Sequence, residues 1–260
     1  RSKNANKLIK QRQKYSIKHT FVLSNEKDQK KFLKILETNI SIIYFLDYGS
    51  FSLKYLNHFL KFNKKSIIAI ANKEMIIAGG HILQNRITKT NNYFIPLDSE
   101  HFSLINSNIK NNISKIFITA SGGPFYFNKK VDLATVSKAR VLSHPKWNMG
   151  YNNLIDSSNF INKILEIYEL SHIFNIPLNK IDFLISKQAY IHSIIHFEDK
   201  TVSINCYANN MLITLIKPLS FYFKLSTFKI EHNYLNINNL KIEKPNDRRF
   251  SIFKNKKKLL

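Results

Sequence analysis

Short apolar runs alternate with amphipathic segments along the first half of the chain. Residues 40–46 are almost wholly apolar and predict a strand buried on both faces, as in a parallel sheet. Residues 66–71 predict another strand. Between them, residues 53–62 carry apolar positions at helical spacing. The same alternation predicts further strands at 17–23, 92–97 and 113–119, and further helices over 4–14, from 24, from 73 and from 100. This order of elements predicts βαβ units in a parallel, Rossmann-like α/β sheet.

The pattern changes past residue 120. The spacing predicts one long amphipathic helix over 156–174, and it leaves 212–223 ambiguous. Three antiparallel strands are predicted at 183–186, 190–197 and 201–207, with a turn at 198–200 and a possible further strand at 240–243. We therefore predict a Rossmann-like domain over 1–119, an α+β domain with an antiparallel strand region over 120–250, and a basic tail over 251–260.

The first candidate for chemistry is the pair Asp98 and Glu100, directly after the predicted strand at 92–97. Open α/β sheets bind ligands outside the carboxyl ends of their strands, where Asn72–Lys73 and Ser121–Gly123 are also expected. Hard carboxylate oxygens at such a position suit Mg²⁺ or Mn²⁺. The competing interpretation is helix capping, with Asp98 or Ser99 as the N-cap and Glu100 favouring the first turn. The local sequence leaves both interpretations open.

Composition narrows the class of protein. The net charge of +23 would suit a polyanionic partner such as nucleic acid. The lysines are scattered among abundant Asn, Ile, Phe and Tyr, however, as an AT-rich genome would encode them, and we expect neither nucleic acid nor a membrane as partner. One cysteine, Cys206, excludes an internal disulfide and indicates a reducing compartment, either a bacterial cytoplasm or a plastid-type organelle. His192 and His196 could form part of a zinc site, although ordinary strand histidines are commoner.

Seven stretches follow one another in the order and near the spacing of a single enzyme family: 71–74, 96–101, 119–125, 144–150, 156–157, 162–166 and 191–193. Together they resemble 1-deoxy-D-xylulose 5-phosphate reductoisomerase. The resemblance implies an NADPH-dependent enzyme, using Mg²⁺ or Mn²⁺, that converts 1-deoxy-D-xylulose 5-phosphate to 2-C-methyl-D-erythritol 4-phosphate in isoprenoid biosynthesis. It also implies a homodimer built partly through the strand-rich middle region.

The same resemblance implies residue roles. The metal ligands would be Asp98, Glu100 and Glu166, and the catalytic residues Lys73, Glu100 and His144. The substrate-binding residues would be Lys73, Ser99, Glu100, Ser121, His144, Trp147, Ser157, Asn162, Lys163 and Glu166. The cofactor-binding residues would be Ser2, Lys3, Asn4, Gly49, Asn72, Glu74, Met149, Gly150 and Met211.

The chain also departs from the family pattern. The glycine-rich dinucleotide fingerprint is expected upstream of residue 1, and the family's C-terminal helical domain would follow the last residues. A cofactor turn that is rich in Gly and Ala in the family is Asp47–Phe51 here, and Ala189 replaces a substrate-side serine. Two hypotheses follow: a divergent working enzyme, or a catalytically inactive homologue that retains metal binding.

Overall fold

The structure contains two β-sheets, which are formed by different parts of the chain. The computed structural model describes residues 5–107, 109, 112–142, 151–225, 240–246 and 249–253. The chain divides into two compact units, one up to Phe94 and one from Ile95. The predicted α/β class is confirmed, with a three-stranded sheet followed by a four-stranded mixed sheet.

The sheet of the first unit has the order β1-β2-β3. β1 (Ile42–Phe45) and β2 (Ile67–Ile70) pair in parallel, and β3 (Tyr93–Pro96) lies next to β2. Every residue of β2 is buried. In β1, which the apolar run predicted to be buried on both faces, only Phe45 is buried and the other three residues are half-buried. The helices before β3 are α1 (Ala5–Lys14), α2 (Glu26–Leu36), α3 (Leu53–Phe62) and α4 (Lys73–Lys89).

Local sequence explains where these helices begin. The Asn25 side chain accepts a hydrogen bond from the Asp28 backbone N–H, and Asn72 caps α4 in the same way through the N–H of Met75. In α4 the regular helix is interrupted at Gly80, whose φ of 51° lies in the left-handed region.

The predicted strand at 17–23 is wrong. This segment forms no regular strand in the structure, because its backbone groups bond locally instead of to a neighbouring strand. The Val22 N–H donates to the Asp28 carboxylate at 2.8 Å, and the Val22 carbonyl accepts from the Asn25 N–H. The apolar residues of the segment pack beside α2, where Phe21 contacts Phe32.

The second sheet has the order β5-β4-β6-β7. Its strands are β4 (Ile113–Ala120), β5 (Ile181–Ile185), β6 (Ile191–Phe197) and β7 (Val202–Cys206). β4 is central, parallel to β5 and antiparallel to β6. Two corrections follow: β4 is not the fifth strand of the first sheet, and β5 is not antiparallel. β4 therefore lies in the second compact unit, which begins at Ile95; the domain boundary at 119 stays a prediction.

The single helix predicted over 156–174 is two helices, α7 (Tyr151–Ser158) and α8 (Ile161–Phe174). They are separated by Phe160, which has a left-handed backbone (φ 68°) and is 2% exposed. Its ring packs against Phe183 and Phe250, so burial of the ring in the core overrides helix continuation. The remaining helices are α5 (Ser99–Phe102), α6 (Lys138–Val141) and α9 (Leu212–Tyr222).

The end of the described chain is more ordered than predicted. The possible strand at 240–243 is limited to an isolated antiparallel bridge between Ile185 and Glu243. Residues 251–253 are helical, and Ile252 and Phe253 join the hydrophobic core of the second unit; the rest of the predicted basic tail lies outside the described residues. Within the part of the chain that the structure describes, no helix combines the length and the apolarity that crossing a membrane requires.

Candidate metal centre

The turn after β3 supplies two carboxylates. Asp98 is the N-cap of the short helix α5, and its Oδ1 accepts a hydrogen bond from the Glu100 N–H at 3.2 Å. The capping interpretation is therefore correct for Asp98. It does not exclude metal binding, because both side chains also take part in a cluster of acidic groups. The Ser99 hydroxyl donates to Glu100 Oε2 and fixes the orientation of that carboxylate.

The third carboxylate comes from α8. Carboxylate oxygens of Asp98, Glu100 and Glu166 lie within 4.8 Å of one another. Glu166 is 2% exposed, on the second turn of α8. Three hard oxygen donors at this separation form a set that fits Mg²⁺ or Mn²⁺. The structure thus brings together the three residues that the sequence predicted as metal ligands.

Two further predicted residues lie within the cluster. The Asn162 amide donates to Glu166 Oε1. Lys163 donates to Glu100 Oε1 and to Glu166 Oε2, the latter at 2.5 Å. Because successive residues at the start of α8 both reach Glu166, this helical turn forms one wall of the site.

Charge pairing keeps Glu100 and Lys163 ionised despite their burial. Burial alone would raise the pKa of Glu100, but the Lys163 ammonium, through its charge and its hydrogen bond, holds that pKa well below its usual range. Burial would likewise lower the pKa of Lys163, but Glu100 and Glu166 raise it above its usual value. Glu100 is therefore a carboxylate rather than a carboxylic acid at neutral pH, as cation binding requires.

His101 and Glu169 were not assigned roles by the sequence, yet they adjoin the centre. Asp98, His101 and Glu169 form a second group whose ligand atoms lie within 4.8 Å of one another. The fully buried His101 ring donates from Nε2 to the Glu166 carbonyl at 2.9 Å, and this bond links α5 to α8. Glu169 follows Glu166 by three residues, so helical spacing could have indicated it. No local signal indicates that His101 bonds to α8.

Tyr207, just past β7, is a third residue that the sequence missed. Its hydroxyl donates to the Ser99 carbonyl, between the two carboxylates of the turn. Its ring stacks on His192 with centroids 3.8 Å apart. Burial, and then the nearby Glu100 and Asp98 charges, raise the pKa of Tyr207, so the hydroxyl stays a donor. Burial also lowers the pKa of His192, which favours a neutral ring in this stack.

We expect Tyr207→Phe to weaken Mn²⁺ binding while leaving the fold intact. The variant keeps the ring stack but removes the hydrogen bond that holds the backbone of the carboxylate turn. One net hydrogen bond is worth about 1 kcal/mol, which corresponds to roughly fivefold in affinity. Titration with Mn²⁺, followed by the EPR signal of the free ion, measures the change. Tyr15→Phe, at a position 63% exposed, should leave the affinity unaltered. Equal affinities for wild type and Tyr207→Phe would refute the positioning role.

A glycine pair lets the loop of the predicted residue Ser121 pack closely against the helix that carries the predicted residue Ser157. Gly122 and Gly123 have φ values of 93° and 60°, and a Cβ at Gly123 would lie 2.9 Å from the Ser157 carbonyl oxygen. The sequence analysis expected this loop at the sheet edge where open α/β sheets bind ligands. In the structure the close approach is to α7, and it places the loop after β4 against the helix that carries Ser157.

The predicted cofactor residues of the first unit have visible structural roles. The Asn72 amide donates to Asp47 Oδ1 and to the Gly49 carbonyl, at 3.2 and 2.9 Å. The Ser52 hydroxyl donates to the other oxygen of Asp47. The acidic residue that departs from the family pattern is therefore part of the hydrogen-bonded turn. Gly49 has a φ of 81° and open space around its Cα.

The other predicted residues divide into two groups. Lys73 is buried at the start of α4, with Glu74 in the first helical turn, and Met211 immediately precedes α9. Outside the described residues lie Ser2, Lys3, Asn4, His144, Trp147, Met149 and Gly150. The zinc hypothesis gains no support in the described part of the chain, where no cluster of potential ligands includes His192 or His196.

The fold and the carboxylate cluster together define an α/β protein with a candidate divalent-cation site. A sequence model of the 1-deoxy-D-xylulose 5-phosphate reductoisomerase C-terminal domain matches residues 94–174, which contain the whole cluster. The protein named 1-deoxy-D-xylulose 5-phosphate reductoisomerase in Pelagibacter ubique is 36% identical over 277 residues, covering 97% of this chain and 70% of that protein. The Clostridium novyi protein of the same name is 34% identical, covering 70% of this chain and 48% of its own length. The chain belongs to the 1-deoxy-D-xylulose 5-phosphate reductoisomerase family.

Solved structures agree on the fold. The Zymomonas mobilis reductoisomerase in complex with NADPH superposes with a TM-score of 0.72 at 25% identity, covering 86% of this chain and 58% of that one. A DOX-P reductoisomerase in complex with NADPH, fosmidomycin and magnesium gives a TM-score of 0.74 at 21% identity, covering 97% and 64%. The chain thus spans between about half and 70% of the length of these relatives. Family membership supports the reductoisomerase prediction over that of a nucleic-acid-binding protein.

Proposed function

We propose that this protein is an NADPH-dependent reductoisomerase that converts 1-deoxy-D-xylulose 5-phosphate to 2-C-methyl-D-erythritol 4-phosphate. The proposal rests mainly on one observation: Asp98, Glu100 and Glu166, from two distant segments of the chain, place their carboxylates side by side. A structural ion pair would need only one carboxylate for Lys163. The relatives that share most of this chain bear the name of this enzyme, and one homologous structure holds NADPH.

The chemistry of each side chain suits it to a different proposed role in binding the metal or the substrate. Asp98, Glu100 and Glu166 would hold Mg²⁺ or Mn²⁺, which supplies Lewis acidity toward carbonyl and hydroxyl oxygens. The hydroxyls of Ser121 and Ser157, the Asn162 amide and the Lys163 ammonium suit an anionic phosphate group. Ser99 orients Glu100 and could also contact the substrate.

The remaining assignments complete the proposal. Lys73 and His144 are proposed to contact the substrate as catalytic residues, with Trp147 as part of a loop that excludes water. NADPH supplies the hydride, and its proposed contacts are Ser2, Lys3, Asn4, Gly49, Asn72, Glu74, Met149, Gly150 and Met211. The open surroundings of Gly49 leave that turn accessible to a cofactor.

We also propose that the protein is a homodimer. β7 is an edge strand of its sheet, and its outward residues Val202 and Ile204 are 49% and 54% exposed. A regularly alternating apolar face on an edge strand is a feature that soluble proteins usually cover. A second copy would cover it in the strand-rich region that the sequence indicated. A bacterial cytoplasm is the proposed location, with a plastid-type organelle as the alternative.

The test measures the oxidation of NADPH by its absorbance at about 340 nm, in the presence of 1-deoxy-D-xylulose 5-phosphate and Mn²⁺. We expect turnover that disappears with EDTA and returns on addition of Mg²⁺ or Mn²⁺. Product analysis should show 2-C-methyl-D-erythritol 4-phosphate in a one-to-one ratio with the NADPH consumed.

Binding measurements separate the two hypotheses that the sequence left. A folded protein that binds Mn²⁺ and NADPH but turns over no substrate would contradict the proposal and indicate an inactive homologue. A folded protein that binds no Mn²⁺ would contradict the metal centre itself.

A further inference from the structure

The oxygens of Glu100 and Glu166 already have hydrogen-bond donors. Ser99 donates to one oxygen of Glu100 and Lys163 to the other. Asn162 donates to one oxygen of Glu166, and Lys163 to the other at 2.5 Å. A divalent cation held by Asp98, Glu100 and Glu166 would therefore share these oxygens with the groups that now donate to them, or displace one of those groups.

The charge of each donor determines which one leaves the carboxylates when a cation binds. Ser99 and Asn162 are neutral, and each can stay bonded to an oxygen that also coordinates a metal, because a carboxylate oxygen has two acceptor sites. Lys163 carries a positive charge and bridges the same two carboxylates, so a cation at that position would repel it at short range. Its four-carbon stem has freely rotating bonds, which allow the ammonium to swing away without moving α8.

We propose that Lys163 is an internal competitor for the metal centre, and that cation binding releases its ammonium from Glu100 and Glu166. The inference rests on the proposed function for its consequence: the released ammonium becomes available to an anionic group of the substrate. Cation binding and anion binding are then favourably coupled through one side chain, since each is helped when Lys163 leaves the carboxylates.

The first test compares the Mn²⁺ affinities of variants by EPR of the free ion. Lys163→Met removes the competitor, and we expect Mn²⁺ to bind about tenfold more tightly or better, as displacing a buried ion pair implies. Lys163→Gln removes the charge but keeps a donor, and it should also bind more tightly. This second variant covers the case in which Lys163→Met does not fold.

A matched control variant shows how much the loss of one positive charge by itself changes the Mn²⁺ affinity. Lys187 is an exposed lysine of the same unit, and Lys187→Met lowers the protein charge by the same amount. We expect its Mn²⁺ affinity to stay within about twofold of wild type, since exposed charges are screened. Unchanged or weaker Mn²⁺ binding in both Lys163 variants would overturn the competition.

The second test observes the release directly. NMR of lysine ammonium groups detects those held in hydrogen-bonded ion pairs, and Lys163→Gln identifies the Lys163 resonance by its loss. We expect diamagnetic Mg²⁺ to remove or shift this resonance at the concentrations that saturate the site. A resonance that persists unshifted at saturation would overturn the inference while leaving the metal centre intact. A failure of every variant to bind Mn²⁺ would instead contradict the proposed function, so the two failures are distinguishable.

Discussion

Replacing Glu166 by Gln is expected to lower Mn²⁺ affinity about 100-fold and metal-dependent kcat/KM about 1000-fold, since roughly 4 kcal/mol of transition-state stabilisation would be lost. The substitution conserves shape but removes one negative charge from the ligand set. Glu166 is the most buried of the three carboxylates, so water cannot easily replace its charge. The amide can still accept a hydrogen bond from Lys163, so the fold should be retained. Mn²⁺ titration and NADPH oxidation measure the two effects separately.

Glu198→Gln provides the matched control. This residue lies in the same unit, in the turn between β6 and β7, and its side chain is 56% exposed in a long contact with Lys180. Surface pairs of this kind contribute little, so both affinity and turnover should be those of wild type. The metal assignment would be wrong if Glu166→Gln bound Mn²⁺ as tightly as Glu198→Gln.

Patterns contained within a single segment were predicted well from the sequence. β1 and β2 followed from continuous apolar runs, and the hairpin between β6 and β7 followed from the polar turn at residues 198–200. In that turn Lys200 adopts a positive φ of 72°, and the Phe197 N–H closes the turn onto the Thr201 carbonyl. Such elements depend on side-chain periodicity and turn chemistry, which are local properties.

Pairings between distant segments were not predicted. β4 has the composition of any buried strand, and nothing local shows that it joins β5 and β6 instead of the first sheet. The break at Phe160 could not be predicted from the sequence either, because a phenylalanine within an apolar helical pattern fits that pattern. In both places tertiary packing overrides what the segment alone favours.

In the candidate site too, local patterns were predicted from the sequence and contacts between distant segments were not. Asp98 and Glu100 were indicated by their position after a strand, whereas Glu166 came from family resemblance. The Lys163 contact with Glu100 joins residues 63 apart in sequence, and the Tyr207 contact with Ser99 joins residues 108 apart. Composition and spacing carry no information about such contacts, so the roles proposed for these two side chains depend on the structure.

The Phe160 ring fills the centre of an aromatic cluster at the junction of α7 and α8. Its centroid lies 5.0 Å from those of Phe250 and Phe253 and 5.7 Å from that of Tyr126. Its left-handed backbone is also strained, because a Cβ there approaches the following carbonyl. Two opposing contributions therefore meet at one residue: a favourable buried ring and an unfavourable φ.

Phe160→Ala is expected to lower the free energy of unfolding by about 3–5 kcal/mol, because it leaves a cavity in the core and keeps the strained φ. Phe160→Gly leaves the same cavity but relieves the strain, which is worth about 1 kcal/mol, so it should be less destabilising than Phe160→Ala. Urea unfolding followed by circular dichroism measures both values. Phe62→Ala, at a position 51% exposed, should change stability by less than about 0.5 kcal/mol. If Phe160→Gly were the less stable of the two variants, the left-handed conformation would not be a source of strain, and burial of the ring alone would explain the break between α7 and α8.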